Sequence, residues 1–502
     1  MVAYNKLNVI IPMAGYGERF KKAGYANYKP FILIKNKPMI DYVLDAFPKD
    51  LTRYLLINPK LLSKQQRKYL EDKGNVKLIE IAPHKKGPAY SIYQARDSLP
   101  LDQAFFISYS DIYWTWDFKE VEKLLSYDGI IFTRKRFHPH LVKNSFAAFC
   151  LPRNDNPSLL AAIKEKEPFT DNWMEEPLSV GAFYVKSGRD LIEGIKHDID
   201  NHNVAANEFF PTVAYNQLLR KNKKIYLSDV DFFIHWGIPE QLEDFNFWAH
   251  VMKKSFEPGQ SFNDIKNICS MGGLGKRMKE LSNVPKALLD VGGLPMYQFV
   301  LEQFSAKENV IITTKKILEE LKQDLPKGYR FLNIGEATSS QLETIKNGKK
   351  EFLSSDNFFL TSCDTYGLFD KNEFRKFIRQ EDPDAIIFTF KPTLLQSKSS
   401  WHHTFVSKKG NKVTAVHIKS KASDDDVGLA GFFWFKKGQL FNELDSIPTD
   451  TKNEMCADHI LKHLVNIGKK VLAYELPYYV HLGTVDEYKE FQFWHEYKRI
   501  LE

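Results

Sequence analysis

The stretch Leu7-Asn-Val-Ile-Ile-Pro12-Met-Ala14-Gly15-Tyr-Gly17-Glu-Arg19 decides the fold. An apolar run of strand length breaks at Pro12 into a glycine-bearing loop that ends on a cation. Glycines let backbone N–H groups approach an anion, and arginine adds fixed charge, so the loop reads as a phosphate cradle. Near the middle of the chain the pattern returns as Asn267-Ile-Cys-Ser-Met-Gly-Gly273-Leu-Gly275-Lys-Arg277, with Gly15 and Gly273 separated by 258 of the 502 residues. One such loop is weak evidence. Two, each heading the same series of landmarks, mark a duplicated domain.

The landmarks keep their order. Tyr28-Lys29-Pro30 answers to Pro285-Lys286-Ala287, and Phe105-Phe-Ile-Ser-Tyr-Ser-Asp111 answers to Phe358-Phe-Leu-Thr-Ser-Cys-Asp364. Downstream, Val180-Gly181 answers to Ala430-Gly431, Asn207-Glu208 to Asn453-Glu454, and His235-Trp-Gly237 to His481-Leu-Gly483. The offset shrinks to 246 in small steps, as loop deletions would cause. The spacing predicts one domain over 1–255, a linker over 256–264 around a Pro-Gly, and a divergent second domain over 265–502. In the first copy, strands are expected at Val9–Pro12, Tyr54–Ile57, Lys77–Ile81, Phe105–Tyr109 and Gly129–Thr133. Helices are expected at Ile40–Phe47, Ser63–Asp72, Pro88–Ser98 and Lys119–Ser126. Strands alternating with helices predict an α/β fold with a mostly parallel sheet, whose ligands bind beyond the carboxyl ends of the strands.

Composition narrows the class. A chain with 43% hydrophobic and 26% charged residues is globular, and its net charge of +7 is mild for its length. Lysines and arginines are dispersed, so neither a nucleic-acid nor a membrane partner is expected. Four cysteines without a CxxC pair, no apolar run near the ~20 residues of a membrane span, and no leader before the first strand together predict a reducing, cytoplasmic setting. His138, His140, His402 and His403 lack a carboxylate or thiol partner at ligand spacing and are read as packed side chains rather than a zinc site. The aromatic helix ends at Phe245–Trp248 and Phe491–Trp494 are read as packing.

The ordered set resembles the nucleoside-diphosphate-sugar pyrophosphorylase family, and the first copy is similar to its capsular and surface polysaccharide members. The likeness rests on Ile-Pro-Met-Ala-Gly-x-Gly-x-Arg-Phe, Ala23-Gly24-Tyr25 and Lys29-Pro30, and it spans nearly all of both halves. It implies two tandem Rossmann-like nucleotidyltransferase domains. The implied reaction carries a nucleotidyl group from an NTP (CTP, UTP or dTTP) to a phosphorylated small-molecule acceptor, a sugar 1-phosphate in the favoured version, and releases pyrophosphate. Such chemistry needs two anions held in line and charge neutralised on the leaving group, rather than a strong base.

The resemblance also assigns roles. Ala14, Gly15, Gly17, Gly87 and Ala89, with Gly273 and Gly275 in the second copy, would hold the nucleotide. Arg19, Lys29 and Lys166, with Arg277, Lys286 and Lys421, would supply catalytic positive charge. Glu165, Glu176 and Gly181, with Asp426 and Gly431, would face the acceptor. Asp111 and Asp364 would hold Mg²⁺, with Mn²⁺ as the alternative, since hard cations take oxygen ligands. Where the family has a second metal-binding Asp, both copies have histidine, at His235 and His481. Those histidines stay open to three readings: a metal ligand, a phosphate contact or a packed strand residue. The second copy has Thr338–Leu342 for the Gly87 segment and Ser420-Lys421 for Glu165-Lys166. It therefore takes another substrate or has stopped turning over. Two alternatives remain: a CTP-dependent enzyme for a phosphorylated non-sugar, and a second copy that only binds nucleotide or stiffens the assembly. A homo-oligomer is also left open.

Overall fold

The computed structural model describes residues 7–142, 146–255, 261–273, 275–321, 328–397, 403–447 and 455–501. The expected linker therefore lies partly outside the described residues, as do His402, Asn453 and Glu454. The chain divides into two compact units, Met1–Asn246 and Phe247–Glu502.

In the first unit, β1 (Leu7–Pro12) is the hub of a nine-stranded sheet. It pairs in parallel with β2 (Thr52–Ile57) on one side and β3 (Ala104–Ser108) on the other. Asn8 stands opposite both Thr52 and Phe105. All six β1 residues are buried because both faces of the sheet are covered. Val9 and Ile11 pack with Leu55, Ile57 and Phe106 on one face, and Ile10 packs with Leu56, Phe105 and Ile107 on the other. This period of two is what a strand imposes.

The sheet is mixed: it is parallel around β1 and again where Ile225–Asp229 pairs with Gly129–Arg134. Beyond β3 comes β4 (Leu178–Val185), which runs antiparallel to it. The hairpin of Ala148–Pro152 and Leu160–Glu165 extends the antiparallel end. The expected helix Pro88–Ser98 is an α-helix over Pro88–Gln94 that tightens to 3₁₀ over Arg96–Ser98. Because the chain leaves β1 toward β2 and later returns on its other side at β3, a crevice opens at the carboxyl end of β1.

The second unit has its own nine-stranded sheet. Phe262–Met271 takes the place of β1, between Ala306–Thr313 and Asp356–Ser362, both parallel to it. Lys266 faces Phe358 as Asn8 faces Phe105. Cys150 and Cys269 are free and buried. Among the described residues, no helix is long and apolar enough to cross a membrane.

Candidate active site

A cavity of about 700 Å³ opens at the carboxyl end of β1, lined by the glycine loop, Lys29, Asp111, Glu165, Lys166, His235 and their neighbours. The loop is shaped by backbone requirements. Gly17 has φ of 62°, and a Cβ there would stand 3.2 Å from Lys29 Cβ, so its glycine lets the lysine segment close against the loop. Gly275 repeats this, with φ of 58° and 2.8 Å to Lys286 Cβ. Gly15 meets nothing within 4 Å and faces the open cavity.

Lys29 opens a 3₁₀ turn and sends its Nζ to Asp111 Oδ2 at 2.5 Å and to the Gly237 carbonyl at 3.1 Å. Asp111 lies just past the end of β3, with His235 Nε2 3.7 Å from Oδ2. Burial raises its carboxyl, but the Lys29 ammonium and His235 outweigh that and hold it below its ordinary value. Burial moves His235 the other way, down to about 4, against the pull of Asp111. The imidazole is therefore neutral near pH 7, with Phe146 stacked on it at 5.0 Å. A Cβ on Gly237 would fall 2.0 Å from that ring.

The second unit builds the same cluster. Lys286 bonds Asp364, His481 Nε2 lies 3.7 Å from Asp364 Oδ2, and a Cβ on Gly483 would fall 2.1 Å from the His481 ring. Arg277 adds positive charge beside Lys286. One partner differs. His481 Nδ1 is bonded to Glu487 at 2.8 Å, and although burial lowers its pKa, Glu487 raises it overall. Six residues after His235 the first unit has Gln241, which accepts from the Gly237 and Ile238 amides.

The side of the cavity that carries Glu165 and Lys166 is less symmetric. Glu165 is the last residue of its strand; burial pushes its carboxyl up to about 7, and Thr212 Oγ1 donates to it at 2.7 Å. Lys166 follows with φ of 60°, and its ammonium lies 4.7 Å over the Phe210 ring. In the second unit the residue with that left-handed twist is Lys419, at φ of 47°. Strand register agrees. Leu178 stands opposite Phe149, whose hairpin partner is Lys164; Gly428 stands opposite Phe405, whose partner is His417. Lys419 therefore replaces Lys166, and Ile418 replaces Glu165. Lys421 lies two residues further on, in an exposed pair with Asp424.

Three further residues serve the site from beneath or beside it. Glu176 is outside the cavity lining: it accepts from the Phe169 and Thr170 amides and the Thr170 hydroxyl. Asp426 does the same for the Ala422 and Ser423 amides and the Ser407 hydroxyl. Both are loop clamps, their oxygens being occupied. Ala89 is buried, its N–H bonded to the Phe209 carbonyl, and only Gly87 and Pro88 of that turn reach the cavity. The matching bond in the second unit is Leu342 N–H to the Met455 carbonyl, which puts Ser340 where Gly87 stands. Ser340 caps its helix by accepting from the Glu343 amide. Gly181, at φ of 86°, lies beneath Tyr109, where a Cβ would come within 2.7 Å of the ring. Gly431 lies against Thr365, 2.9 Å from where its Cβ would be.

Arg19 lines the cavity and is exposed; Ala14 lines it too but is buried. The cavity also includes residues to which the resemblance assigns no role: Tyr16, His84, Lys85, Tyr109, Glu208 and Gln241. Glu18 and Lys85, both at its mouth, pair at 2.5 Å. The buried histidines are structural: His140 Nε2 bonds Asp244 Oδ2 at 3.1 Å and His138 contacts the Phe233 carbonyl.

A divalent cation fits this donor set in one way. Among the described residues no group of three or more His, Cys, Asp and Glu side chains could cage an ion. One carboxylate, Asp111, with the neutral His235 beside it, suits an ion that takes most of its oxygens from a triphosphate and water.

Residues 271–408 match the MobA-like NTP transferase domain. Among solved structures, the chain is similar to the nucleoside-diphosphate-sugar pyrophosphorylase from Vibrio cholerae, at 17% identity and a TM-score of 0.41 over 47% of this chain and 98% of that one. It is also similar to the inositol-1-phosphate CTP transferase from T. maritima, at 13% identity and a TM-score of 0.38 over 48% of this chain and 97% of that one. No curated protein matches it. With an NTP-transferase domain in its second half, the chain is a nucleotidyltransferase.

Proposed function

We propose that the first unit transfers a nucleotidyl group from CTP, UTP or dTTP to a phosphorylated small molecule, a sugar 1-phosphate in the favoured case, for surface polysaccharide synthesis. The observation that carries this reading is the Lys29–Asp111–His235 cluster set against the glycine loop at the end of β1. The loop amides and Arg19 receive the triphosphate, and Lys29 neutralises the pyrophosphate end. Lys166 holds the acceptor phosphate in line with the α-phosphorus. An acceptor oxygen forms the new P–O bond as the α–β bridge breaks and pyrophosphate leaves with that electron pair. Asp111, with His235 beside it, would hold Mg²⁺ or Mn²⁺, whose charge spreads over the phosphate oxygens.

A second reading concerns the second unit, where Ile418 stands in place of Glu165. It takes a different acceptor, such as a CTP-dependent enzyme's phosphorylated alcohol, or it binds nucleotide without turnover. Pyrophosphate release across panels of NTPs and acceptors, with Asp111→Asn and Asp364→Asn made singly, tests both readings. Asp111→Asn is expected to abolish at least one activity. If neither change alters any activity, nucleotidyl transfer by these clusters is wrong. If Asp364→Asn alone is silent, the second unit is not a catalyst.

A further inference from the structure

One buried hydroxyl in the first unit's cavity has no acceptor for its hydrogen, and the ligand it would meet there rests on the nucleotidyl-transfer reading above. Ser91 stands four residues after Gly87 on the helix Pro88–Gln94; it lines the cavity and is only 4% exposed. His84, from the loop before that helix, has its Nε2 3.0 Å from Ser91 Oγ. The Lys86 amide donates to His84 Nδ1 at 3.0 Å. Burial, helped by the Lys86 charge, holds the imidazole below its ordinary pKa, so near pH 7 it is neutral and carries one ring proton. With Nδ1 accepting, that proton sits on Nε2 and is donated to Ser91 Oγ. The hydroxyl is thereby an acceptor toward His84, and its own hydrogen must go to another group. Among the described residues no acceptor takes it.

The loop that carries His84 is braced at both ends. The Ala82 amide donates to Gln94 Oε1 at 2.9 Å, and the Phe209 amide donates to the Lys86 carbonyl at 2.9 Å. Tyr90 meets the His84 ring edge-on at 4.9 Å. The second unit resolves the same position differently. Ile81 and Ile334 bond back to the Ile57 and Thr313 carbonyls, and each stands six residues before the residue that opens the helix, Gly87 or Ser340. Thr344 therefore answers to Ser91, and Ala337 to His84. There the hydroxyl has acceptors inside the protein: Thr338 Oγ1 lies 2.5 Å from Thr344 Oγ1, and the Ser340 carbonyl 3.3 Å. A hydrogen that is satisfied internally in one unit is left for a ligand in the other.

Phosphates would be drawn to Arg19 and Lys29, whereas Ser91 is held by an uncharged ring. A donor of fixed polarity without a cation suits a neutral acceptor. CTP, UTP and dTTP share a triphosphate and differ in the base, where cytosine presents a donor at the 4-position and thymine or uracil an acceptor. We propose that Ser91 is a specificity-determining residue of the first unit, its hydroxyl donating to a hydrogen-bond acceptor on the base of the NTP, and that His84 is the positioning residue that fixes it as a donor.

Calorimetric dissociation constants on the full chain test this, for ATP, CTP, GTP and UTP with Mg²⁺ and for inorganic tripolyphosphate. Because Ser91 belongs to the first unit, the change on its substitution reports that unit. The parent is expected to favour one NTP. Ser91→Ala is expected to weaken that NTP about three- to tenfold, weaken the others less and leave tripolyphosphate unchanged. Ser91→Cys, a weaker donor, is expected to fall between the two. His84→Ala should reproduce the loss, and the double variant should be no weaker than Ser91→Ala alone. Equal weakening of all four nucleotides, a weakened tripolyphosphate, or a parent without base preference overturns the proposal. Additive effects of the two substitutions overturn the role given to His84. Failure of every NTP to bind overturns the nucleotidyl-transfer reading instead.

Discussion

Asp111 occupies a place where burial raises a carboxyl's pKa, and the Lys29 ammonium is the main group that keeps it charged. Lys29→Met should therefore act twice, removing charge from the phosphates and letting Asp111 take up a proton. We expect kcat to fall about 100-fold or more, as removal of one preorganised charge does elsewhere, and steady-state pyrophosphate release checks it. Glu165 makes a separate prediction. Its folded pKa, about 7, is raised, so its contribution to stability is full below the ordinary carboxyl value and is lost as pH climbs toward 7. Glu165→Gln should flatten the fall in melting temperature between about pH 4.5 and 7, a difference worth about 3 kcal/mol at most. A variant curve parallel to that of the parent would refute the assignment. Lys85, paired with Glu18 at the cavity mouth, is free to turn to a phosphate. Lys85→Ala should raise KM for the NTP, and Glu18→Gln should lower it, each about two- to fivefold. Little of this was legible in sequence. Asp111 could be picked out because it ends an apolar run twice over; Glu208 recurs as Glu454, but its place in the cavity shows only once the turn at Ala206 and Asn207 sets it against Gly87.

At the scale of elements, the strand ends do the positioning. β1 could be read directly, since a run buried on both faces is apolar throughout and stops where the loop must turn. The strand that ends at Glu165 could not be aligned by residue type, because Lys419 and Lys421 both offer a lysine. Only the register of the hairpin and the left-handed φ of Lys419 separate them. The Glu176 and Asp426 clamps were misread for a similar reason: a carboxylate's spacing from a glycine says nothing of which amides fill its oxygens. The histidine strand gives the sharpest test at this scale. In Gly237→Ala the new Cβ would stand 2.0 Å from His235 Cε1, so the imidazole must shift from its place beside Asp111. We expect activity to fall at least about tenfold and stability by about 1–3 kcal/mol. Chemical denaturation and turnover measured together check it.

At the scale of the whole chain, two units carry one plan with different electrostatics. In the first the histidine is neutral, with Gln241 at the place of Glu487 accepting from backbone amides; the second ties its histidine to Glu487 and raises its pKa. If that one partner is responsible, Gln241→Glu should lift His235 from about 4 toward or past its ordinary value. A histidine titration followed by NMR reads this directly, and an unmoved His235 resonance would show that the Glu487 effect depends on other neighbours. The duplication was plain in the sequence because its landmarks fall at turns and strand ends, where backbone geometry restricts the choice of residue.

The twist shared by Lys166 and Lys419 has a consequence for how such enzymes change allegiance. The backbone that delivers the lysine is the same in both units, while the residue before it is Glu165 in one and Ile418 in the other. The main chain behaves as a standard socket, and the side chains around it are interchangeable fittings. New acceptor preferences can then arise from a few substitutions at fixed sockets, with no rebuilding of the frame that holds the nucleotide.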